Sequence, residues 1–313
     1  CGLCIGIDRY AQSPLDGCVA DAKLWNRTLA DLGFEMEPLL LDHEATRGAI
    51  LERMRALVDA ARAGDVIVFQ YAGHGTRVID VDGDEADGDT PGFDEAMVPF
   101  DYQRGAYVID DDLAEVFRRA GEGVNITCFF DCCHSGTMNR LWAASIEDHV
   151  SPTEQVKARF LPPSAERNEA HKAFREALAE REGERARNGF DGGGRARGVH
   201  AAAEVFFSAC RSSESALESN GHGHFTIRAT GVLRHGIDGL TNEAFHARVL
   251  DAFGSARRQT PELHCADDRR GLPLLRALTV DGRGGGGGPD AGAPLRTKAQ
   301  IAAALEQLAR RIR

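Results

Sequence analysis

The sequence predicts an α/β fold, a mostly parallel β-sheet with helices on both faces (an α/β/α sandwich). Two observations carry this expectation. Short apolar runs bounded by turn residues alternate with helically periodic segments through the first 135 residues, the pattern of parallel strands joined by helical crossovers. The runs are also almost continuously apolar or β-branched, as in Asp65-Val66-Ile67-Val68-Phe69-Gln70-Tyr71, which is how strands buried on both faces read.

The elements follow in order. Residues 2–7 form a strand ending at Asp8. Ala22, Trp25, Leu29 and Leu32 set the apolar face of a helix over 21–32, stopped by Gly33. A short strand covers 38–41. Ile50, Leu51, Met54, Leu57 and Val58 share one face of a helix over 46–61, closed by Gly64. After the strand 65–71 come a long acidic loop, a helix near 112–119 and a strand over 125–131. Beyond Trp142 the pattern changes. Residues 164–187 are dense in Ala, Glu and Arg and predict a solvated helix, packed loosely or not at all. A Gly/Arg-rich linker spans 188–198. A strand over 203–209, helices over 227–233 and 241–256 and a closing strand over 272–278 complete the expected fold. A Gly run at 284–288 leads to a short amphipathic helix over 297–312. The expected organisation is therefore a catalytic segment 1–142, a charged insert and linker 143–200, a smaller segment 201–280 of the same sheet, and a tail 281–313.

Composition narrows the function. The 313 residues are 42% hydrophobic and carry a net charge of −11, which excludes overall disorder and disfavours nucleic acid as a partner. Cationic partners suit that balance better. No run approaches the roughly 18 apolar residues that cross a bilayer, and no signal-peptide pattern opens the chain, so no membrane partner is expected. The eight cysteines show neither paired CxxC spacing nor the density of a stapled secreted domain, the usage of a reduced, cytoplasmic protein.

Two strand ends carry chemistry. One finishes in Tyr71-Ala72-Gly73-His74-Gly75 and another in Asp131-Cys132-Cys133-His134-Ser135-Gly136. The carboxyl ends of parallel strands form the edge at which loops converge on a ligand. A Cys there, with a His on a neighbouring strand end, is what thiol nucleophilic catalysis needs. A lone buried Cys is usually an inert small hydrophobe, but two such motifs in matching context outweigh that reading.

Together with Leu15-Asp16-Gly17-Cys18-Val19-Ala20-Asp21-Ala22 and Phe207-Ser208-Ala209-Cys210-Arg211, these motifs resemble metacaspase-type, caspase-like cysteine peptidases of bacterial style. The resemblance covers about residues 2–280 apart from 143–200. The Gln-Ala-Cys-x-Gly signature of caspases proper is absent. The resemblance implies a caspase-like sheet, His74 as general base and Cys133 as nucleophile, with Cys132 at a variable position and His134 structural. The backbone N–H groups of Gly75 and Cys133 would form the oxyanion hole. It also implies that Asp131 and Asp21, with Cys18 beside them, line the pocket for the residue before the cut bond. Asp131 lies two residues before Cys133 and faces the same side of an extended segment. Two carboxylates in a half-buried pocket call for a cation, and a guanidinium answers with bidentate hydrogen bonds. Cleavage after Arg, with Lys second, is expected; the other reading of Asp21 is as a helix cap. Ala72 stands where the family often has a pocket Ser.

The acidic loop 80–89 fails the EF-hand spacing in every register. In calcium-dependent metacaspases the ligands align with Asp94, Asp110 and Asp111, and a fourth falls at Arg140, which cannot coordinate calcium. Calcium activation and a merely solvated acidic loop both stay open; the chemistry itself needs no cofactor. Arg185, Arg187, Arg195 and Arg197 stand in or beside the linker and are the expected processing sites, cut by the protein itself or by an upstream protease. The expected partners are protein or peptide substrates, and the expected state is a monomer. Two rivals remain: an idle caspase-like scaffold and a calcium-responsive binding module.

Overall fold

Along the chain the elements are β1 (Gly2–Gly6), α1 (Cys18–Asp31), β2 (Leu40–Leu41), α2 (Arg47–Ala60), β3 (Val66–Ala72), β4 (Gly75–Ile79), β5 (Phe93–Met97), β6 (Val108–Ile109), α3 (Asp110–Phe117), β7 (Asn125–Asp131), β8 (Lys157–Ala158), α4 (Ala165–Arg187), β9 (Glu204–Ser208), β10 (Leu217–Ser219), β11 (His222–Gly223), α5 (His224–Leu233), α6 (Asn242–Phe253), β12 (Glu262–His264) and α7 (Asp267–Arg270). The structure, a computed structural model, describes residues 1–81, 92–133, 156–187, 204–255 and 257–278, with side chains of the α4 helix described to 181. The 188–198 linker, the Gly run, the tail helix, His134, Arg140 and most of the acidic loop lie outside these residues.

Six strands form the main sheet in the order β2-β1-β3-β7-β9-β12. The first five run parallel, and β12 closes the edge antiparallel to β9. This is the expected α/β architecture. Alternation along the strands divides the core in two. Val66 and Val68 of β3 join Trp25, Leu29, Phe129, Phe207 and Phe245 under α1, α5 and α6. Ile67, Phe69 and Tyr71 join Ile50, Met54, Val116 and Phe117 under α2 and α3. Phe129 stacks on Trp25 at 4.4 Å and on Phe207 at 5.1 Å between ring centres, an arrangement that adds to its burial.

Helix starts follow from caps. Thr46 accepts from the Ala49 N–H and opens α2. α1 is capped from across the fold, because its N-cap is Gly17 and the Asp8 carboxylate instead accepts from the N–H groups of Cys18 and Val19 at 2.7 and 3.2 Å. The helix therefore begins at Cys18, not at 21, and Asp21 is free of a capping role.

Three expectations are corrected. The long loop after β3 is flanked by an antiparallel sheet of β4, β5 and β6, whose strands are short and, in β5, interrupted by Asp94 and Glu95, which weakens the strand signal. Residues 272–278 are not a strand. Pro273 lacks an N–H, Leu275 has a left-handed φ of 55°, and Leu274 and Leu275 anchor a turn in the core. The closing strand is β12. The α4 helix is mainly exposed over its described side chains, to 181, as expected, but its first turns dock: His171 is buried and bonded to the Gly105 carbonyl, and Arg175 pairs with Asp112.

Candidate active site

The strand register builds the site. Ala72, the last residue of β3, pairs with Asp131, the last of β7, so His74 and Cys133 each lie two residues past adjacent strand ends. Gly75 packs so closely on Cys133 that a Cβ there would overlap the Cys133 carbonyl; only glycine allows this approach.

His74 is 1% exposed. Its Nε2 lies 2.6 Å from the Ser13 carbonyl, so that nitrogen carries the proton and donates it. Nδ1 is then the bare base, and it has no hydrogen-bond partner among the described residues. Ser13 holds a left-handed φ of 55°, strain of the kind that clusters at functional sites. The Tyr10 hydroxyl accepts from the His74 N–H, and its ring lies 4.6 Å from the imidazole. Burial, with the Arg159 guanidinium adding to it, lowers the imidazole pKa to about 4, leaving it neutral at pH 7.

Cys133 is buried in the α1-side core, and Cys132, one residue earlier, in the opposite one. The Cys133 thiol donates to the Glu214 carbonyl at 2.8 Å, and Cys210 Sγ lies 3.6 Å from the same oxygen. Burial pushes the Cys132 thiol well above its ordinary range.

The two predicted oxyanion donors converge. The Gly75 N–H and the Cys133 N–H both donate to one oxygen, the carbonyl of Arg159, at 3.1 and 3.2 Å. The side chain of that residue is fully buried in the predicted specificity pocket. Its guanidinium pairs with Asp21, with Asp131 at 2.9 Å and with Glu218 at 3.1 Å. Asp131 Oδ2 accepts from both the N–H and the hydroxyl of Thr226, and Asp21 from His222 and the Gly223 N–H. A Cβ on Gly223 would run into Asp131 and the guanidinium. Desolvation and the neighbouring Asp21 charge raise the Asp131 pKa to about 6, although Arg159 opposes the rise. The Asp21 carboxylate, on the His222 side, raises the imidazole's pKa there.

Of the expected pocket residues, Asp21 and Asp131 meet the guanidinium directly. Cys18 stands behind, its thiol 3.7 Å from Glu218 Oε2. Glu218, Arg159, Ser13 and Tyr10 were not expected. They reach the site from separate segments and no contiguous motif marks them. Asp94 is buried on β5, and Asp110 and Asp111 open α3; no group of three His, Cys, Asp or Glu among the described residues is placed to hold a metal ion. Arg185 and Arg187 belong to the last turns of α4 rather than to an extended linker, and Arg195 and Arg197 lie outside the described residues. Arg159 fills the pocket. A cavity of about 300 Å³ instead opens on the other side of the sheet end, between Met97, Leu113, Phe130, Cys132 and Cys210.

No described helix is long and apolar enough to cross a membrane. Residues 2–141 match the model of the metacaspase, peptidase C14 domain. The chain is 36% identical over 146 residues to Metacaspase-1 of Cryptococcus neoformans, covering 43% of this chain and 31% of the relative. It is 34% identical over 146 residues to Metacaspase-1A of Aspergillus fumigatus (43% and 34% covered) and 34% identical over 145 residues to Metacaspase-1 of Schizosaccharomyces pombe (43% and 33% covered). The chain thus spans about a third of the length of these relatives. The fold is shared with a crystal structure of a protein from Geobacter sulfurreducens, with a TM-score of 0.63, 22% identity and coverage of 88% of this chain and 96% of that one.

Proposed function

We propose, from the match of residues 2–141 to the metacaspase, peptidase C14 domain, that the chain is a cysteine endopeptidase that cuts proteins and peptides after Arg, and less efficiently after Lys. Cys133 is the nucleophile. His74 Nδ1 takes the thiol proton and returns it to the leaving amine. The Gly75 and Cys133 N–H groups hold the oxyanion, as fixed dipoles that need no reorganisation when charge develops. Water then hydrolyses the thioester. No cofactor enters this chemistry.

The observation that carries the reading is the position of the Arg159 carbonyl: both donors reach one oxygen while the guanidinium beneath it meets three carboxylates. Three acceptor groups around a planar fork favour guanidinium over ammonium, which presents a point charge and cannot engage them in parallel. A panel of fluorogenic peptides with Arg, Lys, Gly or Asp before the cut bond tests the proposal. Arg first and Lys second, with turnover lost in Cys133→Ala, is the expected result; preference for Asp, or turnover that survives Cys133→Ala, overturns it.

Calcium control through Asp94, Asp110 and Asp111 is a separate proposal that rests on the family resemblance. A turnover gain on adding calcium that a chelator reverses is its test.

A further inference from the structure

The segment around Arg159 has the geometry of a bound substrate on both sides of one peptide bond. On the amino side, β8 pairs antiparallel with β10, placing Ala158 opposite Leu217 and Lys157 opposite Glu218, and the Arg159 N–H donates to the Ala216 carbonyl at 2.8 Å. This is strand addition, in which main-chain bonds hold an extended peptide and a pocket reads one side chain. Lys157 reaches Asp16 at 2.6 Å. On the carboxyl side, Phe160 bridges Gly75, the Leu161 N–H donates to the Gly75 carbonyl at 2.9 Å, and the Thr76 hydroxyl donates to the Leu161 carbonyl at 2.6 Å. A purely structural arginine would need its side chain paired. It would not need its carbonyl oxygen in the cradle formed by Gly75 and Cys133.

We propose that residues 157–161 occupy the substrate cleft in cis, that Arg159–Phe160 is the first bond this peptidase cuts, and that the cut opens the pocket to other substrates. The inference rests on the peptidase reading above. In the step, Cys133 Sγ bonds to the Arg159 carbonyl carbon, the bond to the Phe160 nitrogen breaks, and the thiol proton passes through His74 to the new Phe160 amine. Water then cleaves the thioester, leaving the Arg159 carboxylate and restoring the thiol. The thiol must first turn from the Glu214 carbonyl, so the uncut chain is held in a resting pose. The new Arg159 carboxylate adds a negative charge beside a pocket that already carries three, which favours its departure. The processing site thereby moves from the expected Arg185, Arg187, Arg195 and Arg197 to Arg159.

Time-resolved intact mass and N-terminal sequencing of the purified full chain, run beside turnover of an Arg peptide, test this. Expected are fragments 1–159 and 160–313, a rate independent of protein concentration, a lag in peptide turnover that ends as the cut completes, and an intact chain in Cys133→Ala. Arg159→Gln is expected to lose the Phe160 amino terminus and the lag. Because that change leaves three carboxylates without their cation, Arg159→Lys serves as the folded control, and it is expected to cut at the same bond at least 10-fold more slowly. Full peptide turnover by a chain whose Arg159–Phe160 bond stays intact, or cutting only after Arg185, Arg187, Arg195 or Arg197, overturns the proposal and leaves the peptidase reading standing. Absence of both turnover and self-cutting in folded protein overturns both.

Discussion

The proposed reacting rim and the proposed specificity pocket sit under the same Arg159 residue, yet they are built in opposite ways. The rim, His74, Gly75 and Cys133, is neutral, and its geometry is fixed by backbone: the Ser13 carbonyl sets the tautomer, the Glu214 carbonyl holds the thiol, and two N–H groups share one oxygen. The pocket is three carboxylates around one guanidinium, all nearly inaccessible to solvent. A neutral rim keeps its imidazole unprotonated at pH 7 and ready to accept a proton. A pocket of three carboxylates is costly to bury without a cation, and here the Arg159 guanidinium is that cation.

This contrast can be broken in graded steps. Cys133→Ala should lower Arg-peptide kcat by about 1,000-fold or more with the thermal midpoint nearly unchanged, because it removes the chemistry and only a sulfur's worth of packing; steady-state kinetics beside a melting curve checks both halves. Asp131→Asn should cost about 100-fold or more in kcat/KM, since it leaves a buried guanidinium with one fewer negative charge and replaces one acceptor oxygen by an amide donor. The loss should fall on Arg and Lys peptides and spare kcat for the chemical step. Gly75→Ala probes the seam between the two regions. Overlap with the Cys133 carbonyl should displace both N–H donors and lower kcat by about 100-fold, as losing an oxyanion donor does, with soluble yield reporting the strain.

A smaller effect is expected from pH. The His74 pKa is about 4 in the folded chain against an ordinary 6.5, so the unfolded state takes up a proton first as the pH falls. Stability is lost between about 6.5 and 4, reaching about 2 kcal/mol at pH 5. Asp131 acts in the opposite direction. Its folded pKa of about 6 lies above the ordinary 3.8, so protonation favours the folded chain over a similar range. His74→Gln removes only the first effect and should flatten the acid side of the stability curve by that amount, as urea denaturation at pH 7.5 and pH 5 would reveal. An unchanged difference between the two pH values would mean that the imidazole is not held neutral.

The same contrast explains what the sequence made legible. The rim could be read because Tyr71-Ala72-Gly73-His74-Gly75 and Asp131-Cys132-Cys133 are contiguous and sit at the ends of apolar strands, where periodicity is strongest. The register of β3 on β7 then brings them together without further information. Half of the pocket was legible for a similar reason, since Asp131 ends the strand that leads into Cys133. Glu218 and Arg159 were not. They lie in short polar stretches with no period, and the partners they join are distant in the chain, as when Glu218 accepts from the Asp16 N–H 202 residues away. The 272–278 run misled because its leucines match a strand while Pro273 and the left-handed Leu275 forbid one. β4 and β5 were concealed because both are short and flank the acidic run 80–89, and β5 itself carries Asp94 and Glu95.

The most direct test of the central claim, that an anionic pocket and a Cys-His rim act on one arginine, is identification of cleavage sites in a mixed proteome treated with the self-processed chain and with Cys133→Ala. New amino termini preceded by Arg in the great majority of cases, with Lys next and none above background in Cys133→Ala, are the predicted result. Termini preceded by Asp or by no consistent residue, or an identical set from Cys133→Ala, would contradict it.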